Sequence, residues 1–273
     1  MKEEIPLPAG APYGPLVDIG VNLTDSSFEA DRDALIVRAR SVGVEHQLVT
    51  GTDVRHSIAA AALADSAPVH LSATAGVHPH HAKDVGGDWT RRLRGLLARA
   101  GVRAVGETGL DFNRDFSPRD VQEAVFRAQI ELAEETALPL FLHERDSAGR
   151  FFEVLEPFAG RVRGVLHCFT GTGEDLERAL ALDLYIGITG WICDERRGER
   201  LQHLAAGIPA DRLLIETDAP YLLPRTLRPR RKSRRNEPAF LPWVVATLAV
   251  CRDESPETVA ATSTRNARRL FGF

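Results

Sequence analysis

The stretch Val102-Arg103-Ala104-Val105-Gly106-Glu107 is almost wholly apolar and then stops on a carboxylate. Three later stretches have the same form: Pro139–His143 and Gly164–His167 stop on a histidine, and Leu213–Asp218 stops on an aspartate. Near-continuous apolar runs of this length are typical of parallel strands that are buried on both faces. The four stretches therefore predict a parallel sheet that carries reactive groups at the carboxyl ends of its strands.

Strand-like and helix-like segments alternate outward from these stretches, from Leu16 to the C-terminus. Eight strands are predicted, each followed by a helix: Leu16–Val21, His46–Thr50, Leu71–Val77, Val102–Glu107, Leu140–His143, Val165–His167, Leu184–Ile188 and Leu213–Glu216. This alternation predicts an α/β fold, and eight units in about 255 residues fit a (β/α)8 TIM barrel in a single domain. A doubly wound open sheet is disfavoured, because no glycine-rich nucleotide fingerprint follows the first strand.

Composition narrows the class of protein further. Of 273 residues, 44% are apolar and 26% charged, and the net charge is -4, so nucleic-acid binding would require a local basic patch. Three widely spaced cysteines predict reduced thiols in the cytoplasm. No apolar run is long enough to span a membrane. Residues 1–15, rich in proline, predict a short flexible leader before a domain over residues 16–273, and we expect a monomer.

The polar strand ends predict a metal site. Each of Glu107, His143, His167 and Asp218 alone has an ordinary structural explanation, such as an ion pair, a hydrogen-bonded histidine or an Asx turn. A barrel, however, brings all strand ends to one mouth, where four such groups would share a divalent cation. Mixed nitrogen and oxygen ligands suit Zn²⁺, Mn²⁺ or Mg²⁺. The prediction is metal-assisted hydrolysis, with Glu107 and Asp218 as catalytic residues and Asp218 as general base.

Two further groups are candidates for substrate binding. His78 precedes Pro79, which fixes the chain after it, so His78 either contacts substrate oxygens or is a rim histidine. His80 and His81 are expected to face solvent. Arg145 follows His143 in a predicted loop, and its planar guanidinium suits a phosphate, with an ion pair to a neighbouring aspartate as the equal alternative.

A basic stretch follows the eighth predicted strand. It contains seven cations within residues 225–235: Arg225, Arg228, Arg230, Arg231, Lys232, Arg234 and Arg235. Such runs are usually solvated loops. Because an acidic protein has concentrated positive charge on the face predicted to hold the metal, we expect phosphate contacts here, from Arg234 and Arg235.

These motifs together resemble the TatD family of metal-dependent deoxyribonucleases, an amidohydrolase-like group of barrels, and most closely its namesake branch. The resemblance runs from about Leu16 to Phe273 and is carried by Gly76–His80, Gly106–Asp111, Pro139–Arg145, Val165–Gly171, Leu213–Tyr221 and Asn236–Pro238. It implies that Glu107, His143, His167 and Asp218 are metal-site residues. It also implies a Mg²⁺-stimulated nuclease, acting 3′ to 5′ on single-stranded DNA with RNA as an alternative substrate, in DNA repair or turnover.

The first strand departs from the family pattern. Most members carry Asp-x-His-x-His there, whereas this chain has Asp18, Gly20 and Asn22. Gly20 has no side chain to ligate a metal, and Asn22 offers only a neutral amide, which we assign to substrate binding. The remaining two imidazoles and two carboxylates predict weaker, more exchangeable metal binding that tolerates Mg²⁺ or Mn²⁺.

Two other functions remain open from the sequence. The same site could hydrolyse an ester or amide, such as the bond in D-aminoacyl-tRNA, because that reaction also needs an activated water. Alternatively, the loss of the first-strand histidines could leave a catalytically weakened nucleic-acid-binding protein.

Overall fold

A single parallel sheet organises the computed structural model, which describes residues 5–273. Within that range its eight strands follow one another in chain order. They are β1 Leu16–Val21, β2 Val44–Val49, β3 Leu71–Ala75, β4 Val102–Asp111, β5 Leu140–Arg145, β6 Gly164–Leu166, β7 Tyr185–Ile188 and β8 Leu213–Ile215. The first and last strands adjoin, since the Asn22 N–H donates to the Ala219 carbonyl and the Asp218 N–H to that of Gly20, both at 2.8 Å. The predicted α/β class, a (β/α)8 TIM barrel, is confirmed.

In the part of the chain that is described, one α-helix connects each pair of consecutive strands, and two more follow β8. Across residues 5–273 they are α1 Arg32–Ser41, α2 Val54–Ser66, α3 Trp89–Leu97, α4 Arg119–Thr136, α5 Arg150–Leu155, α6 Gly173–Ala181, α7 Glu199–Ala205, α8 Leu241–Arg252 and α9 Pro256–Phe271. Local chemistry sets their starts: Thr172 and Asp175 form a reciprocal capping box at α6, and the Asp53 carboxylate caps α2. No helix among the described residues is long and apolar enough to cross a membrane.

Strand β4 is longer than the sequence predicted. It continues four residues beyond Glu107 and pairs with β5 as far as Asp111 opposite Arg145, with a register shift between Gly106 and Thr108. Gly109 permits this pairing, because a Cβ atom there would overlap the His143 carbonyl oxygen. Glu107 therefore lies at an irregularity inside the strand, where a bulge re-aims its side chain.

The chain divides into two compact units. One contains the residues up to Leu48 together with Gly187–Arg269, and the other contains Val49–Ile186 together with Leu270–Phe273. The second unit has an aromatic core in which the rings of Phe126 and Phe151 stack at 5.2 Å.

The predicted leader is only partly within view, because residues 1–4 lie outside the described residues. Over residues 5–15 the chain contains no helix or strand. Tyr13 is buried and its hydroxyl donates to the Ala9 carbonyl, while the Trp243 indole donates to the Pro6 carbonyl. These contacts fasten the described part of the segment to the unit that contains α8.

Candidate active site

Three imidazoles converge on one carboxylate oxygen in the Val49–Ile186 unit. Glu107 Oε1 lies 2.8 Å from His167 Nε2, 3.0 Å from His143 Nδ1 and 3.3 Å from His78 Nε2. The Glu107 and His167 side chains are less than a tenth exposed. A carboxylate oxygen has two lone pairs, so three ring nitrogens exceed what it can accept by hydrogen bonding alone. A cation placed among these atoms would relieve that crowding.

His78 is held by the turn that follows it. Its Nδ1 accepts the N–H of His80 at 3.1 Å and so caps the 3-10 helix Pro79–Asp84. Because Nδ1 must keep a lone pair to accept, we assign the proton of the neutral ring to Nε2, which points at Glu107. Burial lowers the pKa of His78 to about 4, against the opposing charge of Glu107, so the ring is neutral near pH 7. His78 is therefore a hydrogen-bond donor in this geometry.

The electrostatics favour an ionised Glu107. Burial alone would raise its pKa, but the charges of His167 and His78 and the hydrogen bonds from His143 and His167 hold the pKa well below its ordinary value. For His143, burial lowers the pKa, yet the neighbouring Asp111 carboxylate and the hydrogen bond with Glu107 outweigh it and raise the pKa above its usual value. The Glu107 carboxylate is therefore a negative charge that lies among the three histidine rings.

Asp111 joins this cluster and was missed as a site residue by sequence reasoning. Its Oδ2 lies 2.7 Å from His80 Nε2 and 3.6 Å from His143 Nε2. Its Oδ1 accepts the N–H groups of Asn113 and Arg114 at 3.0 and 2.8 Å. Burial raises the pKa of Asp111, but the nearby His143 ring and the hydrogen bond with His80 dominate and depress it strongly. The expectation that His80 faces solvent was wrong, because its ring is bound to this carboxylate.

The donor set fits a divalent metal. Ligand atoms of His78, Glu107 and His143 lie within 4.8 Å of one another. His143 Nε2 is buried and has no hydrogen-bond partner among the described residues, since Asp111 Oδ2 at 3.6 Å is beyond hydrogen-bonding distance. If the Asp111–His143 contact shortened to hydrogen-bonding distance, the proton of the neutral His143 ring would be held on Nε2. Nδ1, the nitrogen that faces Glu107, would then be free to ligate a metal. His78 Nε2, as assigned, would have to lose its proton before it could ligate a metal, and His167 Nε2 lies 2.8 Å from the same Glu107 oxygen.

The other unit holds the remaining predicted residues of the first and last strands. Asp218 follows β8, and its Oδ1 accepts a hydrogen bond from the Asn22 amide at 3.1 Å. Asp18 is fully buried and accepts from the Thr217 N–H and hydroxyl at 2.9 and 2.5 Å. Burial raises the pKa of Asp18 to about 7 despite these bonds. Asn22, predicted to bind substrate, therefore orients Asp218 in this structure.

The basic stretch is partly consumed by the fold. Arg235 forms a two-point pair with Asp31 at 2.8 and 2.9 Å and lies over the Phe28 ring. Arg225 pairs in the same way with Glu195 at 2.8 and 3.0 Å. The exposed cations of the stretch are Arg228, Arg230, Lys232 and Arg234. Of the two predicted phosphate contacts, Arg234 is exposed and Arg235 anchors the loop.

Arg145 is the last residue of β5 rather than a loop residue, and its side chain is exposed. The exposed guanidinium is accessible to an anion, and the Arg145 backbone carbonyl accepts the N–H of Phe112 at 2.9 Å, which fixes its position beside the end of β4.

Fold and cluster together define a TIM barrel with a group of histidines and a carboxylate that could hold a divalent metal. Residues 17–272 match the model of the TatD related DNase family, so the chain belongs to that family. The chain is 52% identical over 259 residues to a protein of Erwinia tasmaniensis named 3'-5' ssDNA/RNA exonuclease TatD, covering 94% of this chain and all of the relative.

Further similar proteins carry related names. A protein of Cronobacter sakazakii with the same name is 52% identical over 94% of this chain and 97% of its own. The crystal structure of YjjV, a TatD homologue from Escherichia coli, is 29% identical with a TM-score of 0.86, covering 94% of this chain and 98% of that one. A TatD family hydrolase from Entamoeba histolytica has a TM-score of 0.84 at 26% identity, with 94% and 98% covered. The predicted family resemblance is confirmed.

Proposed function

We propose that this chain is a metal-dependent exonuclease that hydrolyses phosphodiester bonds of single-stranded DNA from the 3′ end, with RNA as a second substrate. The names of relatives about half identical to it support this activity. The observation that carries the proposal is the convergence of three imidazole nitrogens within 3.3 Å of Glu107 Oε1 in a member of a DNase family.

Glu107, His143, His167 and Asp218 would hold the metal, the last on the strength of its sequence motif. Bound there, a divalent cation supplies a water of lowered pKa and polarises a phosphoryl oxygen. We propose Mg²⁺, with Mn²⁺ or Zn²⁺ as alternatives, because Gly20 and Asn22 bring no first-strand imidazole and leave a set of two imidazoles and two carboxylates.

The chain's own residues divide the remaining work. Asp218, oriented by Asn22, takes the proton of the attacking water as general base. The His78 Nε2–H donates to an oxygen of the bound phosphate, since the proton assignment makes that atom a donor. The exposed guanidinium groups of Arg145 and Arg234 neutralise flanking phosphates, while Arg235 contributes by fixing its loop.

We place this activity in the cytoplasm, in DNA repair or turnover, and in a monomer with one domain over residues 16–273. The side chains of Cys168, Cys193 and Cys251 are present as thiols, which supports a reducing compartment.

The test is a nuclease assay on a 5′-labelled single strand with Mg²⁺, comparing wild type with Glu107→Ala and Asp218→Asn. Because the first variant removes the central ligand and the second the general base, both are expected to lose roughly 10²–10⁴-fold in rate. Glu177→Gln, which changes an exposed carboxylate on α6, serves as the matched control and retains the wild-type rate.

Wild-type rates in both site variants would refute the assignment. Turnover of D-aminoacyl-tRNA in place of DNA would favour an ester hydrolase. Strand binding with no hydrolysis of either substrate would favour the binding protein.

A further inference from the structure

An aromatic ring stands exposed on the loop that follows β4. Among residues 5–273, two of the large apolar side chains that are exposed are aromatic, Phe116 at 54% and Tyr221 at 55%; the others are Val37, Ile58, Val69 and Val250. Single exposed apolar side chains are ordinary on protein surfaces. Exposure alone therefore assigns no role to Phe116. The hydrogen bonds that hold its loop and its place beside the histidine cluster are more informative.

The backbone on either side of Phe116 is fastened. Asp115 forms a two-point pair with Arg119 at 2.7 and 3.0 Å. The Ser117 hydroxyl donates to the His80 carbonyl at 3.1 Å. The ring is thus presented by an ordered loop, and a partner that packs on it need not meet the entropic cost of ordering that loop.

A single imidazole, that of His80, separates the Phe116 ring from His78, the residue proposed to donate to the bound phosphate. The Phe116 ring meets His80 edge to face, with centroids 4.7 Å apart and planes inclined by 63°. The His80 ring in turn lies 4.2 Å from that of His78, whose Nε2 faces Glu107. Much of the Phe116 ring beyond the His80 contact remains open to solvent.

Positive charge accompanies the ring. Arg114, two residues earlier in the same loop, is exposed. Arg145, which lies opposite Asp111 in the backbone register of β4 and β5, is exposed as well. Proteins that bind single strands without sequence preference combine cationic side chains along the backbone with aromatic rings on which bases stack. The loop supplies both elements beside the candidate active site.

We propose that Phe116 is the platform on which an unpaired nucleobase next to the cleaved phosphate stacks; this inference rests on the proposed nuclease function. Every base has a π face, so such a subsite accepts all four bases. In a duplex every base inside the end has both faces covered by its neighbours, and the terminal base is held in its pair. The subsite therefore selects single strands by the accessibility of the base and not by its identity.

The first test compares Phe116→Ala, Phe116→Leu and Phe116→Trp on a labelled single strand. Loss of one stacking partner typically weakens binding by about 5- to 100-fold, so KM should rise by that factor in Phe116→Ala while kcat changes little. Phe116→Trp should equal or exceed wild-type affinity. Phe116→Leu, which keeps apolar contact with His80 but has no π face, should resemble Phe116→Ala. Val250→Ala removes an even more exposed apolar side chain, on α8, and should change nothing.

The second test removes the base instead of the ring. Strands with a single abasic unit at each of the last few positions are compared as substrates. Circular dichroism checks that the protein variants are folded. In wild type one position should raise KM strongly, and in Phe116→Ala that same position should have no added effect, because both changes delete one contact. A strand built wholly of abasic units should be cleaved equally by both proteins.

Two results would overturn the subsite while leaving the nuclease proposal standing. One is that the effects of Phe116→Ala and of base removal on KM are additive at every position of the strand. The other is that Phe116→Leu has the wild-type KM. Failure of wild type to bind or cleave any strand would refute the nuclease function and the subsite together.

Discussion

At the scale of single residues, the sequence located the centre of the cluster but not its support. Glu107, His143 and His167 stood out because each interrupts an apolar run, and the structure brings these three together. Asp111 did not stand out, because β4 was expected to end at Glu107, which left Asp111 in a loop. The glycine at position 109 was a usable signal, since it lets the strand continue and carry a second carboxylate four residues on.

Asp111 gives a prediction at this scale. Asp111→Asn keeps the acceptor for the loop amides but removes the charge that faces His80 and His143. We expect metal affinity to fall by roughly 10- to 100-fold, the usual effect of losing a group that orients a ligating histidine. Titration with Mn²⁺, followed by paramagnetic resonance of the free ion, measures the dissociation constant.

Asp115→Asn is the matched control for that titration, because Asp115 pairs with Arg119 in the same loop. An unchanged dissociation constant in Asp111→Asn would contradict an orienting role.

At the scale of elements, the sequence pattern predicts a helix over Arg119–Thr136 and helices that begin at Ser147 and Glu195. Helix α4 has the predicted bounds at both ends, whereas α5 and α7 begin three and four residues later than predicted. The segment before α5 contains Ala148 and Gly149 at positive φ. A right-handed helix requires negative φ, so the helix begins only after these two residues. Before α7, the Asp194 carboxylate accepts the N–H groups of Arg196 and Arg197 and forms a turn in place of a helix. Apolar periodicity does not register such local hydrogen bonds.

The Asp18 contact between β1 and the segment after β8 gives a prediction at this scale. Its pKa is about 7 in the folded chain and near 3.8 when unfolded, so between about pH 4 and 7 the folded state binds more protons. This group's contribution to the free energy of unfolding therefore declines as pH rises through that window and stays low above it. Asp18→Asn should remove this decline, because the amide keeps both hydrogen bonds without acquiring charge.

Urea unfolding of wild type and Asp18→Asn between pH 5 and 8 tests the sign, with the exposed Asp33→Asn as control. The difference in unfolding free energy between wild type and Asp18→Asn should change with pH in favour of the variant. Parallel pH profiles would show that Asp18 does not titrate there.

At the scale of the whole molecule, strand and helix alternation was sufficient to predict the barrel, because that alternation has few compact solutions. The use of the basic stretch was not predictable in the same way. Asp31 and Glu195, which bind Arg235 and Arg225, lie far from them in sequence. Only the fold shows which cations are already paired.

Metal binding should stabilise the whole chain, which gives a prediction at this scale. A ligand held by the folded state at 100 times its dissociation constant adds about 2.7 kcal/mol. For a chain of this size that corresponds to a rise in Tm of about 5–10 °C. Differential scanning fluorimetry with Mn²⁺, reversed by a chelator, measures the shift. Glu107→Ala should lose it and Glu177→Gln should keep it, whereas equal shifts in both would place the metal elsewhere.

Asp111 touches two parts of the molecule at once: one carboxylate oxygen faces the histidines and the other holds the loop that leads to Phe116. Binding of a metal and stacking of a nucleobase on Phe116 would therefore both act on the Asp111 side chain. Linkage then makes their coupling reciprocal, so that any factor by which the metal tightens a strand is the factor by which the strand tightens the metal. An exchangeable metal would be retained best by an enzyme that is engaged with its substrate.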